Sequence, residues 1–290
     1  MASGDALFLD TSIQIARFVH GRETKRRIED RLRGYSLTVS GQVVKQEFKR
    51  RLLKEANYLL GLLNKYDTLE EVYRHVLRLS HPAHVRKRHI CLDVLGFVFE
   101  GAGNAEVKER FRLHLRYLLT LGMKQFESMV GHMIRALECA CARLPVVEKE
   151  PMKRYEFGVH KCSMTPTGSC GVVAFVEART AEMSRILEYL RGVPAGSSPG
   201  QKSAELVQAE QFLQHVLGDP QKAIAADPCY TVGDLLNALE SAGIPTFFTI
   251  NGKESQHLCR PLGQSLVVFK PNPDSGEVAC SAGQSEWPKF

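Results

Sequence analysis

Apolar positions in this chain follow two periods, and the switches between them divide it into elements. Ala6-Leu7-Phe8-Leu9 is a short apolar run that ends in Asp10-Thr11-Ser12, a carboxylate and two hydroxyls. That pattern predicts a buried strand over 6–10 and a short helix over 12–19. Residues 22–33 predict a basic helix. Residues 35–40 alternate and are rich in β-formers, which predicts a second strand. From Ser40 or Gly41 the period becomes helical, with Val44, Phe48, Leu52, Leu59 and Leu63 on one face of a long helix. Residues 67–145 predict an almost wholly helical block, with segments at 69–79, 85–99 and 105–144. Gly122 and Gly131 mark breaks or close contacts in it, and Pro145 and Pro151 end it.

Beyond that block, 170–178 reads as a strand, 181–190 as a helix, and the Gly-, Pro- and Ser-rich stretch 192–200 as a flexible loop. Helices are predicted over 202–217, 231–242 and 253–259, and strands over 246–250 and 265–269. The tail from Pro271 has little periodicity and predicts loose order. Strand–helix units at both ends with helices between them imply an α/β fold. Its central parallel sheet would be formed from the N- and C-terminal segments, 1–64 and 226–270, with a mostly α-helical insertion over 65–225 and a tail over 271–290. No internal repeat is visible.

A chain of 290 residues is long enough for a large core, and its 44% hydrophobic and 24% charged content is that of an ordinary globular protein. No apolar stretch approaches the length of a membrane span, so no membrane association is expected. Asp5 and Asp10 bracket the first apolar run, unlike a signal peptide, which sets the expectation of a cytoplasmic protein. Eight cysteines without an export signal then read as free thiols or metal ligands. The net charge of +6 is unevenly spread. Between Arg22 and Lys54 there are eleven Lys/Arg against four Asp/Glu, and from Arg74 to Cys91 five Lys/Arg, four His and no acid. Such stripes suit a phosphate backbone, or equally a solvated helix face.

Asp10 and Asn251 both fall at the ends of predicted strands, where open α/β sheets bind their ligands. Glu47 lies in the first turns of the long helix, and Asp234 opens the predicted helix before the 246–250 strand. Clustered carboxylates repel by about 4 kcal/mol per pair at about 4 Å and an effective dielectric of about 20, which a divalent cation relieves. Each residue also has a plainer role: Asp10 as a helix N-cap, Glu47 paired with Arg51, Asp234 in a capping box with Thr231, and Asn251 in a turn before Gly252.

The ordered set Leu7-Phe8-Leu9-Asp10-Thr11-Ser12, Thr38-Val39-Ser40 with Glu47, Gly233-Asp234-Leu235-Leu236-Asn237-Ala238-Leu239-Glu240, and Thr249-Ile250-Asn251-Gly252-Lys253-Glu254 resembles the acidic motifs of PIN-domain nucleases. The resemblance covers about the first 60 and last 65 residues and departs from the usual pattern in carrying Asn251. It implies hydrolysis of a phosphodiester, most often in RNA, with Mg²⁺ or Mn²⁺ held by Asp10, Glu47 and Asp234 and with Asn251 at the edge. It makes Asp227 and Glu254 reserve ligands. Ser12, Lys45, Lys49, Arg50 and Arg51 are the expected substrate contacts. Three readings follow: an endoribonuclease, a catalytically inactive RNA-binding or assembly module, and a toxin or defence effector restrained by a protein regulator. PIN domains often pair, so a homodimer is an expected state.

The cysteines offer a second metal. Cys162, Cys170 and Cys229 with His160 supply four ligands for a structural Zn²⁺, although the spacing is not that of a zinc knuckle. Buried thiols acting as small hydrophobes are the alternative.

Overall fold

The computed structural model describes residues 6–81, 87–88, 90–92, 94–95, 107–117, 119–120, 126–138, 146–149, 154–157, 170–196, 201–270 and 277–280. Strand β1 (Ala6–Leu9) leads into α1 (Thr11–Val19) and α2 (Arg22–Leu32), then β2 (Leu37–Gly41) and the long helix α3 (Gln42–Lys65). Helix α4 (Leu69–Leu77) follows, opened by a complete capping box between Thr68 and Glu71. Strand β3 is His132–Ile134, and β4 (Val146–Lys149) pairs antiparallel with β5 (Arg154–Phe157) in a separate hairpin. Six further helices, Val172–Ala178, Thr180–Arg191, Ala204–Gly218, the short Lys222–Ala225 and Pro228–Thr231, and Gly233–Glu240, precede β6 (Thr246–Thr249). A helix at Gly252–Cys259, β7 (Ser265–Phe269) and β8 (Glu277–Cys280) end the described chain.

The main sheet has the order β3-β2-β1-β6-β7-β8. Its first five strands are all parallel, and β8 joins β7 antiparallel. Alternation along each strand sends side chains to opposite faces. Leu7, Leu9, Phe248, Val267 and Phe269 pack with Ile13, Ala16, Ile28 and Leu32 of α1 and α2. Phe8, Val39, Phe247, Leu266 and Val268 pack on the other face with Val44, Phe48 and Leu52 of α3. Phe8 and Phe247 stack across the β1–β6 pair at 5.2 Å between ring centres. The sheet is thus covered by helices on both faces, as parallel sheets require. A third cluster joins Val43 of α3 to the helices of 172–218 and to Leu235, Leu236 and Leu239.

Three expectations change. The 170–178 stretch is helical over Val172–Ala178, because Val172, Phe175 and Val176 are spaced to bury one helical face. Inside the supposedly all-helical 67–145 block, His132–Ile134 forms a strand on the free edge of β2, with Gly131 donating its N–H to Thr38 Oγ1 at 3.1 Å. A Cβ on Gly131 would sit 3.0 Å from the Thr38 carbonyl, so the close approach foreseen at this glycine is real. In the tail, Glu277–Cys280 is a strand on β7, where loose order was expected. Parts of the 65–225 segment therefore extend the sheet and fill its cores. Gly122 and most of the predicted 85–99 helix lie outside the described residues. Among the described residues no helix is long and apolar enough to cross a membrane.

Candidate active site

The chain runs from β1 through β2 to β3 on one side of the sheet, and returns through β6 and β7 on the other. The reversal falls between β1 and β6, so their carboxyl ends flank a crevice of the kind where such sheets bind ligands. Asp10 follows the last residue of β1, and its N–H donates to the Phe248 carbonyl at 3.0 Å. It caps α1, as its plainer role required, through the Ser12 N–H. Its side chain is only 5% exposed.

Both ends of the crevice are wired together. Asp10 Oδ2 accepts from Ser12 Oγ at 2.7 Å and from Thr249 Oγ1 at 2.8 Å. Ser12 Oγ accepts from the Ile250 N–H, and Thr249 Oγ1 accepts from the Asn251 N–H, each at 2.9 Å. Glu47 reaches in from α3, accepting from Thr11 Oγ1 at 2.7 Å. Asn237, fully buried on the Gly233–Glu240 helix, joins the two acids. Its Nδ2 lies 3.4 Å from Asp10 Oδ1 and 3.3 Å from Glu47 Oε2. Its own Oδ1 is buried with no hydrogen-bond partner.

Asp234 stands on the same helix, half-buried, and Asn251 Nδ2 donates to its Oδ2 at 3.2 Å. The capping-box role for Asp234 does not hold. Val232 is the N-cap, and Thr231 Oγ1 turns back to the carbonyls of Ala226 and Asp227. A Cβ on Gly233 would lie 3.7 Å from Glu47 Oε2, so this helix approaches α3 closely. Asp227 occupies left-handed backbone (φ 48°) before Pro228, a conformation aspartate tolerates. Glu254 lies in the first turn of the Gly252–Cys259 helix.

Burial first, and the cluster's own charge second, disfavour ionisation here. Burial, then the charge of Glu47, pushes the Asp10 carboxyl above its ordinary range, against the pull of the Ser12 and Thr249 hydroxyls and the Thr11 N–H. Burial and the nearby Asp10 and Asp234 carboxylates hold the Cys259 thiol well above its usual value. Among the described residues no group of three His, Cys, Asp or Glu is placed to hold a metal ion. The oxygen set here is instead two carboxylates, Asp10 and Glu47, joined through the Asn237 amide nitrogen, with Asp234 beside Asn251. The carboxylates are hard donors of the kind Mg²⁺ and Mn²⁺ take.

The expected substrate contacts are engaged within the protein. Lys45 pairs with Glu127, and Lys49 is 6% exposed and lowers the Glu127 carboxyl together with Lys45 and Arg135. Arg50 donates to the Cys229 carbonyl and lies 3.9 Å from the centre of the Tyr230 ring. Arg51 is half-buried on α3, and the Ser12 hydroxyl is committed to the cluster. Much of the basic surface is likewise engaged: Arg17 pairs with Glu29, Arg26 with Glu23, Arg33 with Asp30, and Arg74 with Glu70.

Cys162 and His160 lie outside the described residues. Cys229 is buried in the apolar cluster of 172–239, and Cys170 packs against it, as small hydrophobes do.

Sequence reasoning gave no site role to Thr11, Asn237, Thr249 and Glu240, although all four stand in the motifs it singled out. Glu240 is fully buried and accepts from the N–H groups of Gln42 and Val43 at 2.9 and 3.1 Å, fixing the start of the helix that carries Glu47. A signal existed: Asp234, Asn237 and Glu240 recur every three residues on one helix face otherwise surrounded by leucines.

Comparison with protein-family models, curated proteins and solved structures finds no match to this chain.

Proposed function

We propose that the β1–β6 crevice is a phosphodiester-hydrolysing site of PIN-like type, acting on RNA in the cytoplasm. The observation that carries this reading is the Asp10–Asn237–Glu47 bridge at the switch point of a parallel sheet. Two acids are held together there beside a buried acceptor oxygen with no donor. Asp10 and Glu47 would hold Mg²⁺ or Mn²⁺, with Asp234 completing the set. Such an ion, when bound, supplies charge neutralisation at the scissile phosphate and a more acidic water.

The chain's own residues provide the frame. Thr249 and Ser12 fix the Asp10 carboxylate in one orientation, and Thr11 does the same for Glu47. Asn251 holds Asp234 at the rim. Rigid first contacts of this kind lower the reorganisation that a charged transition state would otherwise require.

A second reading has its own support. Asp10 is nearly closed off, its carboxyl buried among Ser12, Thr249 and Asn237. That favours a PIN-like sheet serving as a non-catalytic RNA-binding or assembly module. A Mn²⁺ titration followed by thermal shift separates the two: an active site gains stability from the ion through mass action, and a closed one does not. Asp10→Asn should abolish Mn²⁺-dependent cleavage while the fold survives. Wild-type cleavage by that variant sinks the nuclease assignment.

A further inference from the structure

α3 meets the 228–240 segment at two successive turns. At the first, Glu47 faces Gly233 and Asn237. At the next, three residues on, Arg50 donates to the Cys229 carbonyl and sits over the Tyr230 ring, 3.9 Å from its centre. Glu47 and Arg50 are three apart on one helix and so lie on one face. The Arg50–Tyr230 pair therefore stands one turn along α3 from the acidic cluster.

Tyr230 is 49% exposed despite its size, and it is among the most exposed large hydrophobic residues described. One face of its ring is backed by a guanidinium that is anchored to the main chain. An aromatic ring held in this way, and open to solvent, is built to stack a planar group.

A groove of about 500 Å³ starts at the next residue, Thr231. Its floor is apolar, with Phe212, Val216 and Val232, and Gln208, His215 and Lys222 stand along it. Amides and an imidazole above an apolar floor suit the edge and face of a nucleobase, and Lys222 suits a phosphate. Duplexes keep their base faces covered, so a stacking platform selects single strands.

We infer that Tyr230, positioned by Arg50, is a stacking platform for one base of single-stranded RNA, and that the strand continues into the Thr231–Lys222 groove. This inference rests on reading the acidic cluster as a phosphodiester site, and it names the substrate's form: a single strand held beside the acids. Tyr230 is a binding residue and Arg50 a positioning residue.

The test is fluorescence anisotropy with a short fluorescein-labelled oligoadenylate, in EDTA so that no cleavage intervenes, with a duplex of equal length as control. Wild type should bind the single strand more tightly than the duplex. Tyr230→Ala should weaken single-strand binding about tenfold, the loss of one base–aromatic stack. Tyr230→Phe should bind like wild type, because the face and not the hydroxyl does the stacking. Tyr230→Leu, which keeps an apolar cover over Arg50, should bind like Tyr230→Ala, and thermal melts of all three should match wild type. Wild-type affinity in both Tyr230→Ala and Tyr230→Leu overturns the inference, as does a failure of wild type to bind or an equal preference for duplex. Failure of the nuclease reading looks different: single-strand binding that depends on Tyr230, with no cleavage when Mn²⁺ replaces EDTA.

Discussion

Replacing Asn237 by aspartate probes the centre of the site. The substitution is isosteric and turns the amide between Asp10 and Glu47 into a third carboxyl. The contacts it inherits are 3.4 Å to Asp10 and 3.3 Å to Glu47. At an effective dielectric of about 20, a charge at such a distance repels each neighbour by about 5 kcal/mol. Two such pairs would cost about 10 kcal/mol, comparable to the whole stability of a typical domain. The fold escapes by keeping the new carboxyl protonated, which at pH 7 costs about 4 kcal/mol relative to its ordinary ionised state. At pH 5 the same protonation costs only about 1.5 kcal/mol. Urea unfolding followed by circular dichroism in EDTA should therefore show Asn237→Asp losing about 4 kcal/mol at pH 7 and much less at pH 5. With Mn²⁺ present the loss at pH 7 should shrink, because the added carboxylate becomes a ligand. Equal stability of mutant and wild type at pH 7 in EDTA would show that Asp10, Asn237 and Glu47 do not share one charged pocket.

Three further outcomes follow from the same geometry. Glu240→Ala removes two charge-assisted bonds to the first N–H groups of α3 and should cost about 3–5 kcal/mol by urea unfolding, with Glu240→Gln costing less; a loss under about 1 kcal/mol refutes the cap. Gly41→Ala places a Cβ 1.8 Å from Glu240 Oε2 and should cost about 1–3 kcal/mol. In a Glu240→Ala background that cost should largely vanish, and an additive double mutant contradicts the contact. Because burial and Glu47 raise the Asp10 carboxyl in the fold, its neutral form stabilises the protein fully below its unfolded value and that contribution is lost as pH rises through the folded value. Asp10→Asn should therefore gain stability relative to wild type as pH rises above about 4, and a variant that loses stability relative to wild type over that rise refutes the direction.

The parts of the fold legible in the sequence were those with several periods of pattern. The 24 residues of α3 carry one buried face through Val44, Phe48, Leu52, Leu59 and Leu63. β1, β6 and β7 were legible because each is a tight apolar run closed by polar or turn residues. β3 was not, since a three-residue strand completes barely one alternation and owes its place to the open edge of β2. Val172–Ala178 failed for the opposite reason: in seven mostly apolar residues the periods of helix and strand look alike.

At the site, Asp10, Glu47 and Asp234 were visible because carboxylates beside strand ends are conspicuous. Asn237 was hidden by its neutrality and by the leucines around it. The internal pairing of a basic residue was not legible where its partner is remote in sequence. Lys45 meets Glu127 across 82 positions, and no local pattern reveals such a pairing. Asn251 was read as a corner of the pocket, and its amide is spent on orienting Asp234.

The most direct measurement incubates wild type and Asp234→Asn with end-labelled single-stranded RNA and DNA, with and without Mn²⁺. The account predicts RNA cleavage by wild type only when Mn²⁺ is present, and loss of that cleavage in Asp234→Asn with an unchanged melting temperature. Cleavage that persists in Asp234→Asn, or an inert wild type at saturating Mn²⁺, would contradict it.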